Sequence, residues 1–277
     1  MAVVVVTDSS SRLAPEDLQR CGISQVPLHI ILEGRDIRDG VDEVPADVHW
    51  RHATTAGATP AELTDAYREA LSQSGGDGVV AVHISAALSG TYSAAVSASR
   101  EFGPAVRVIN SRSAAMGVGF VALAAAQQAS SGADLNAVEA AARSAVTRSH
   151  AFIVVDRLDN LRRSGRIRRG ASLLGSALSL KPLLCLDVDG RLVLGQRIRT
   201  AGKAHAAMID QVAEVVGDAG ARIAVHHVES PDVADDVAKT LTVRLPQIAP
   251  PTVTDMGPVL GVHVGAGAVG VCVGVDD

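Results

Sequence analysis

Aromatic side chains are nearly missing from this 277-residue chain, at 2%. Its core must be filled by Ala, Val, Leu and Ile, within a hydrophobic content of 47%. Cysteines number three, Cys21, Cys185 and Cys272, and none forms a CxxC or metal-spaced pair. That suits a reducing cytosol better than a disulfide framework. Excess positive charge is also absent. The net charge of −5 argues against a general nucleic-acid partner, which needs a basic surface to neutralise phosphates. No stretch approaches the roughly 18 uncharged apolar residues of a membrane span. The opening Met-Ala-Val-Val-Val-Val-Thr-Asp has neither the basic start nor the apolar length of a signal peptide. The expectation is a cytoplasmic protein without stable membrane insertion. GxSxG, GxxxxGK[ST] and GxGxxG motifs are lacking. His226-His227 has no third ligand at metal spacing, so no metal is expected. Abundant Ala, Val and Gly, with Arg over Lys, fits a GC-rich bacterial genome.

What is present is an ordered series of apolar runs and helical stretches. Val3 to Val6 is continuous and ends in Thr7-Asp8-Ser9-Ser10-Ser11, as in a buried parallel strand with polar residues at its carboxyl end. A short helix from Pro15 to Arg20 and a strand from Ile23 to Leu32 follow. Thr59-Pro60-Ala61-Glu62 is a capping box with Pro at the first helical position, predicting a helix to Leu71. Gly78–Ile84 reads as a strand, Ser89 to about Glu101 as a helix, and Ala105–Ile109 as a strand. Ser113–Ala129 and Leu135–Thr147 read as helices. This alternation predicts a parallel sheet with helices on its faces and ligands at the carboxyl ends of its strands. In the second half, Phe152–Val155 reads as a strand, and Asp189-Gly190 as the turn of a hairpin between Leu183–Val188 and Arg191–Ile198. A helix over Ala201–Val216, a strand over Arg222–Val228 and a helix over Asp232–Leu241 come next. Val259–Val264 and Ala268–Val275 read as closing strands. The expected architecture is α/β. A parallel-sheet domain over 1–149 precedes a second α/β domain over 150–277, whose sheet is mixed or antiparallel.

Three features could carry chemistry. Ser85-Ala86-Ala87-Leu88-Ser89-Gly90-Thr91-Tyr92 joins a strand end to a helix start, where unpaired N–H groups suit an anion and Ser89 adds a hydroxyl. Taken alone, the plainer reading of Ser89 is a simple helix cap. His263 sits in an apolar, Gly-rich stretch, Met256–Gly270, as a site residue or a satisfied core histidine. Arg162 to Arg169 holds five arginines, Arg166 among them, in eight positions. It could dock an acidic or phosphate-bearing partner, or form a solvated loop.

Six segments then fall into a familiar order. They are Val6-Thr7-Asp8-Ser9; Ile84-Ser85 with Leu88-Ser89-Gly90-Thr91-Tyr92; Ile109-Asn110-Ser111-Arg112; Leu158 to Ile167; Lys181-Pro182-Leu183-Leu184 with Asp189-Gly190 and Arg197-Ile198-Arg199-Thr200; and Met256 to Gly270. In this order the chain resembles the DegV family of bacterial fatty-acid-binding proteins, almost end to end. The family's TSQP segment appears as Thr55-Ala56-Gly57-Ala58, where only the threonine survives. The resemblance implies two α/β domains enclosing a long-chain fatty acid. It implies a carboxylate held by Thr55 and Ser89, supported by His263 and by the backbone at Gly90 and Thr91. Arg199 and Arg166 would face an ATP-dependent fatty acid kinase subunit, which makes the acyl phosphate. No catalytic residue or cofactor is implied in this chain. Two alternatives stand beside that expectation. One is a hydrolase or phosphotransferase using Ser89 or the Arg segment; the other is a lipid-sensing regulator without a kinase partner.

Overall fold

The run Val3–Val6 does become a strand, and the alternation after it is largely kept. The computed structural model describes residues 2–48, 51–167 and 180–276. Its first half comprises β1 (Val4–Asp8), α1 (Pro15–Cys21), β2 (Ile23–Val26), β3 (His29–Leu32), β4 (Arg35–Arg38), β5 (Thr54–Ala56), α2 (Pro60–Ser74), β6 (Val79–His83), α3 (Thr91–Ser99), β7 (Val106–Asn110), α4 (Met116–Ser130) and α5 (Leu135–Thr147). The second half comprises β8 (Ser149–Val154), α6 (Asp159–Arg163), β9 (Lys181–Leu186), β10 (Leu192–Ile198), α7 (Ala201–Val216), β11 (Ala221–His227), α8 (Pro231–Arg244), β12 (Thr252–Asp255), α9 (Pro258–Val264) and β13 (Val269–Val275).

The first sheet is parallel, in the order β2-β1-β6-β7. Both faces are covered, which is why its strands are apolar without alternation. Val6, Val79 and Ala81 share a core with Leu63 and Tyr67 of α2 and Ala95 and Ala98 of α3. Val5, Val80 and Val82 face α4 and α5 instead. The second sheet runs β10-β9-β8-β13-β11-β12. It is antiparallel except where β12 joins β11, so the expected mixed sheet is present. Helices α7 and α8 cover one of its faces. The other face, including Ala224 and Cys272, packs against α4. Helix α4 therefore lies between the two sheets. Ten of its fifteen residues are buried, so it is apolar on every side rather than along one stripe.

Several expected elements differ. Ile23–Leu32 is two strands in two sheets. Pro27 has no N–H to donate, and the chain leaves the parallel sheet there. Strand β3 instead centres a small antiparallel sheet, β4-β3-β5. The Thr55 segment, expected as a loop, is β5, with Thr55 paired to Ile30. The helix expected from Ser89 begins at Thr91. Val259–Val264, expected as a strand, is helix α9. Its apolar, valine-rich run suggested a strand, but Gly257 (φ +80°) and Pro258 start a helix and Gly265 (φ +83°) stops it. His263 thus sits on the last turn of a helix. Residues 168–170 of the Arg segment lie outside the described residues.

Candidate functional site

A cleft with about 990 Å³ of free space, partly open to solvent, lies where the small sheet, the turn leading into α4, α9 and the inner face of the second sheet meet. Its walls are mostly aliphatic: Leu28, Ile84, Leu88, Ala115, Val259 and Leu260 are among them. Polar side chains gather in one part of the lining. The ladder between β3 and β5 holds Thr55 there. Thr55 Oγ1 lies 2.7 Å from Nε2 of His263, which α9 brings in from the second half. Ser89 precedes α3. Its Oγ accepts from the Thr91 N–H at 3.2 Å and lies 2.9 Å from Thr91 Oγ1.

Gly57 explains how these two hydroxyl segments come together. A Cβ there would stand 2.5 Å from Thr91 Oγ1 and 3.1 Å from the Thr91 nitrogen. Only a glycine lets the chain leaving β5 lie directly on the start of α3. Burial, with the Arg166 cation adding to it, pushes the His263 imidazole down to about 4. The ring is therefore neutral at neutral pH. Its Nδ1 is buried without a hydrogen-bond partner among the described residues.

Arg166 also lines this cleft. After α6, Gly165 adopts φ +72° and the Arg166 N–H returns to the Leu161 carbonyl at 3.0 Å. That turn folds Arg166 inward. Its Nε donates to the Leu88 carbonyl at 3.2 Å and Nη1 to the Ser164 carbonyl. Burial lowers its pKa, and no carboxylate pairs with it among the described residues. Of five guanidinium N–H groups, three remain for a ligand. The expected docking residue Arg166 is thus half-buried in the cleft wall, whereas Arg199 is exposed just beyond β10 and outside the lining. Thr55, Ser89, Gly90, His263 and Arg166 share one cleft, and Thr91 stands buried behind Ser89.

The frame under the site is a buried polar chain. Asp8, at the carboxyl end of β1, accepts from His83 Nδ1 at 3.0 Å and from the Ile84 N–H at 2.9 Å. Tyr67 donates to His83 Nε2 at 2.8 Å. Burial, then the Asp8 charge, raises the Tyr67 pKa, so the phenol keeps its proton. This chain pins the turn from β6 towards Ser89. Ser85 Oγ then donates to the Gly190 carbonyl at 2.8 Å, joining the β9–β10 hairpin tip to the first half. Gly190 has φ +75°, and a Cβ on it would come within 2.7 Å of the Arg112 backbone.

Two lining residues went unassigned in the sequence reading, His226 and Cys272. Ala224 and His226 share the phase of β11 that faces away from the α7–α8 core. A polar residue at an inward phase of an apolar strand was the available signal. Among the described residues, no cluster of His, Cys, Asp and Glu could hold a metal. No described helix is long and apolar enough to cross a membrane.

Fold and site together define a two-part α/β protein with an apolar cleft at the junction and polar groups gathered in part of its wall. A family model described as "Uncharacterised protein, DegV family" matches residues 2–275, and the chain belongs to the DegV family. A DegV domain-containing protein of Mycobacterium tuberculosis is 63% identical over 275 residues, covering 99% of this chain and 98% of that protein. The structure of a DegV family protein from Thermus thermophilus, described by its fatty acid binding, superposes with a TM-score of 0.93 at 29% identity, covering 100% of both chains. The Bacillus subtilis DegV structure, described as a fatty acid binding protein, superposes with a TM-score of 0.88 at 27% identity, again over 100% of both.

Proposed function

We propose that this protein is a cytoplasmic carrier that buries a long-chain fatty acid and presents its carboxylate to an ATP-dependent kinase subunit. The observation that carries this reading is Arg166, a half-buried guanidinium without a carboxylate partner among the described residues, in the wall of an otherwise apolar cleft. Its unpaired charge complements a carboxylate. Thr55, Ser89 and neutral His263 supply further hydrogen-bonding groups beside it. Solved DegV proteins described as binding fatty acids support the same assignment. Burying about 14 methylenes contributes about 11 kcal/mol at roughly 0.8 each, before ordering and association costs of several kcal/mol. The tail therefore sets affinity, and the polar cluster sets orientation. Exposed Arg199 fits a partner surface, and the free, scattered cysteines fit the cytoplasm.

A non-catalytic role is favoured over a hydrolase by the pairing of the hydroxyls. Ser89 Oγ is bonded to Thr91, and the hydroxyl on His263 belongs to Thr55. Among the described residues, Nδ1 of His263 has none of the orienting partners that an activated nucleophile's base requires. Native mass spectrometry of the purified protein tests the reading. A co-purified fatty acid is expected, with blank esterase assays. A ligand-free protein that takes up no fatty acid when offered one refutes it. Acyl-phosphate formation on adding the kinase subunit and ATP separates the carrier from a lipid sensor.

A further inference from the structure

His29 lies on β3 and is 5% exposed, yet both of its ring nitrogens face carboxylates. Nδ1 is 2.8 Å from Asp36 of β4. Nε2 is 3.1 Å from each carboxylate oxygen of Glu62, in the first turn of α2. A neutral imidazole has one N–H and one lone pair, so it donates to only one of the two. The other carboxylate then faces a lone pair. An imidazolium donates to both. Burial disfavours that charge, but the bonds to Asp36 and then Glu62 outweigh it and raise the His29 pKa above its ordinary value. Arg38, opposite His29 across β3 and β4, is paired with Asp42 instead. Strand β5 has no titratable side chain, and the one on α9, His263, is neutral.

This bridge closes a small ring of structure beside the site. The backbone pairs His29 with Ala56 and Ile30 with Thr55. From Ala56 the chain reaches α2 through Gly57, Ala58 and Thr59 alone, and Gly57 lies against Thr91. The imidazole ties β3 to the start of α2, so the Thr55 segment is fixed on both sides. We propose that His29 is a proton-operated clamp on the Thr55 wall of the cleft, closed while the imidazole is charged and loosened when it loses its proton. This rests on the fatty-acid reading above and adds a control on its grip. The contribution of the bridge is complete below about pH 6.5 and is lost as pH rises through the raised value.

The test is binding of a long-chain acid to the full chain from about pH 6 to about pH 9. Apparent affinity scales with the fraction of clamped molecules, so the wild type is expected to bind roughly 3- to 10-fold more weakly at the alkaline end. Two variants should remove that dependence from opposite sides. His29→Gln has no charge to hold both carboxylates and should be weak throughout. Glu62→Gln keeps an oxygen for the Thr59 N–H and offers an amide N–H to the neutral ring, so it should stay tight throughout. Titration of the ligand and of other side chains is common to all three proteins. A second measurement needs no ligand. Amide exchange across the β3–β5 ladder should speed up with pH beyond the intrinsic rate in the wild type, and not in Glu62→Gln. A wild-type affinity that ignores pH, or a dependence that survives in either variant, overturns the clamp. If no acid binds at any pH, the fatty-acid reading fails, and the exchange measurement still decides the clamp.

Discussion

Replacing Arg166 by Gln removes one charge from the cleft and keeps most of the side chain's length. A carboxylate about 4 Å from the guanidinium gains about 4 kcal/mol at an effective dielectric constant near 20. Arg166 is only half-buried, so water screens part of that. Charge-assisted hydrogen bonds contribute about 1.5–3 kcal/mol net, and the lower part of that range is the realistic expectation here. Loss of about 1.5–2 kcal/mol is a roughly 10- to 30-fold weaker affinity. The assay is competitive displacement of a fluorescent fatty acid, run with a long-chain acid and with the alcohol of equal length. The alcohol has the same tail and no charge. Arg166→Gln should weaken the acid by that factor and leave the alcohol within about twofold, giving a clear interaction energy in the cycle. If acid and alcohol weaken together, Arg166 acts through packing on Leu88 and not through charge. If neither weakens, the guanidinium does not meet the head group, and the carboxylate assignment falls with it.

Four further outcomes follow from the geometry. Thr55→Ala with Ser89→Ala should still take up lipid but transfer it poorly to the kinase subunit, while Arg199→Ala should spare lipid binding and slow only the kinase step; normal transfer by the double variant, or lost lipid binding in Arg199→Ala, reverses these roles. Gly190→Ala meets both an unfavourable φ of +75° and the Arg112 backbone, so it should lower stability by roughly 1–3 kcal/mol in urea denaturation; an unchanged midpoint shows that the hairpin tip is not held as described. Burial holds His226 at about 3 and His263 at about 4, both below the usual value, so the unfolded chain takes up their protons first. Their share of the stability is whole above about pH 6.5 and falls as pH drops towards those values, by up to about 4–5 kcal/mol for His226 alone; a denaturation midpoint flat from about pH 6.5 to about pH 4 contradicts this.

Much of the fold was legible because burial on both faces leaves continuous apolar strands, and caps such as Thr59-Pro60-Ala61-Glu62 mark helix starts. Strand β5 was not legible. Thr54-Thr55-Ala56 has no pattern of its own and is a strand only because β3 lies beside it. Helix α9 was misread since Val259, Val262 and Val264 favour a strand locally, and the Gly257-Pro258 start signal outweighs them. The site shows the same division. Thr55, Ser89 and His263 were found through the ordered family segments. Arg166 was expected outward because five arginines in eight positions suggest solvent. One left-handed glycine, Gly165, turns it inward instead. His226 was considered only as a metal ligand, although its place on the inward phase of β11 already set it apart.

Helix α4 meets the cleft only through the residues that lead into it, Ala114 and its cap Ala115. Its side chains fill one core shared by both sheets, so shifting its start to widen the cleft loosens both halves of the protein. Adaptation to longer, bent or bulkier ligands is steered instead to lining positions outside the cores, such as Ala56, Leu186 and Gly270. In an evolving lineage, substitutions that retune ligand choice should therefore cluster there, while α4 drifts only among residues of similar volume.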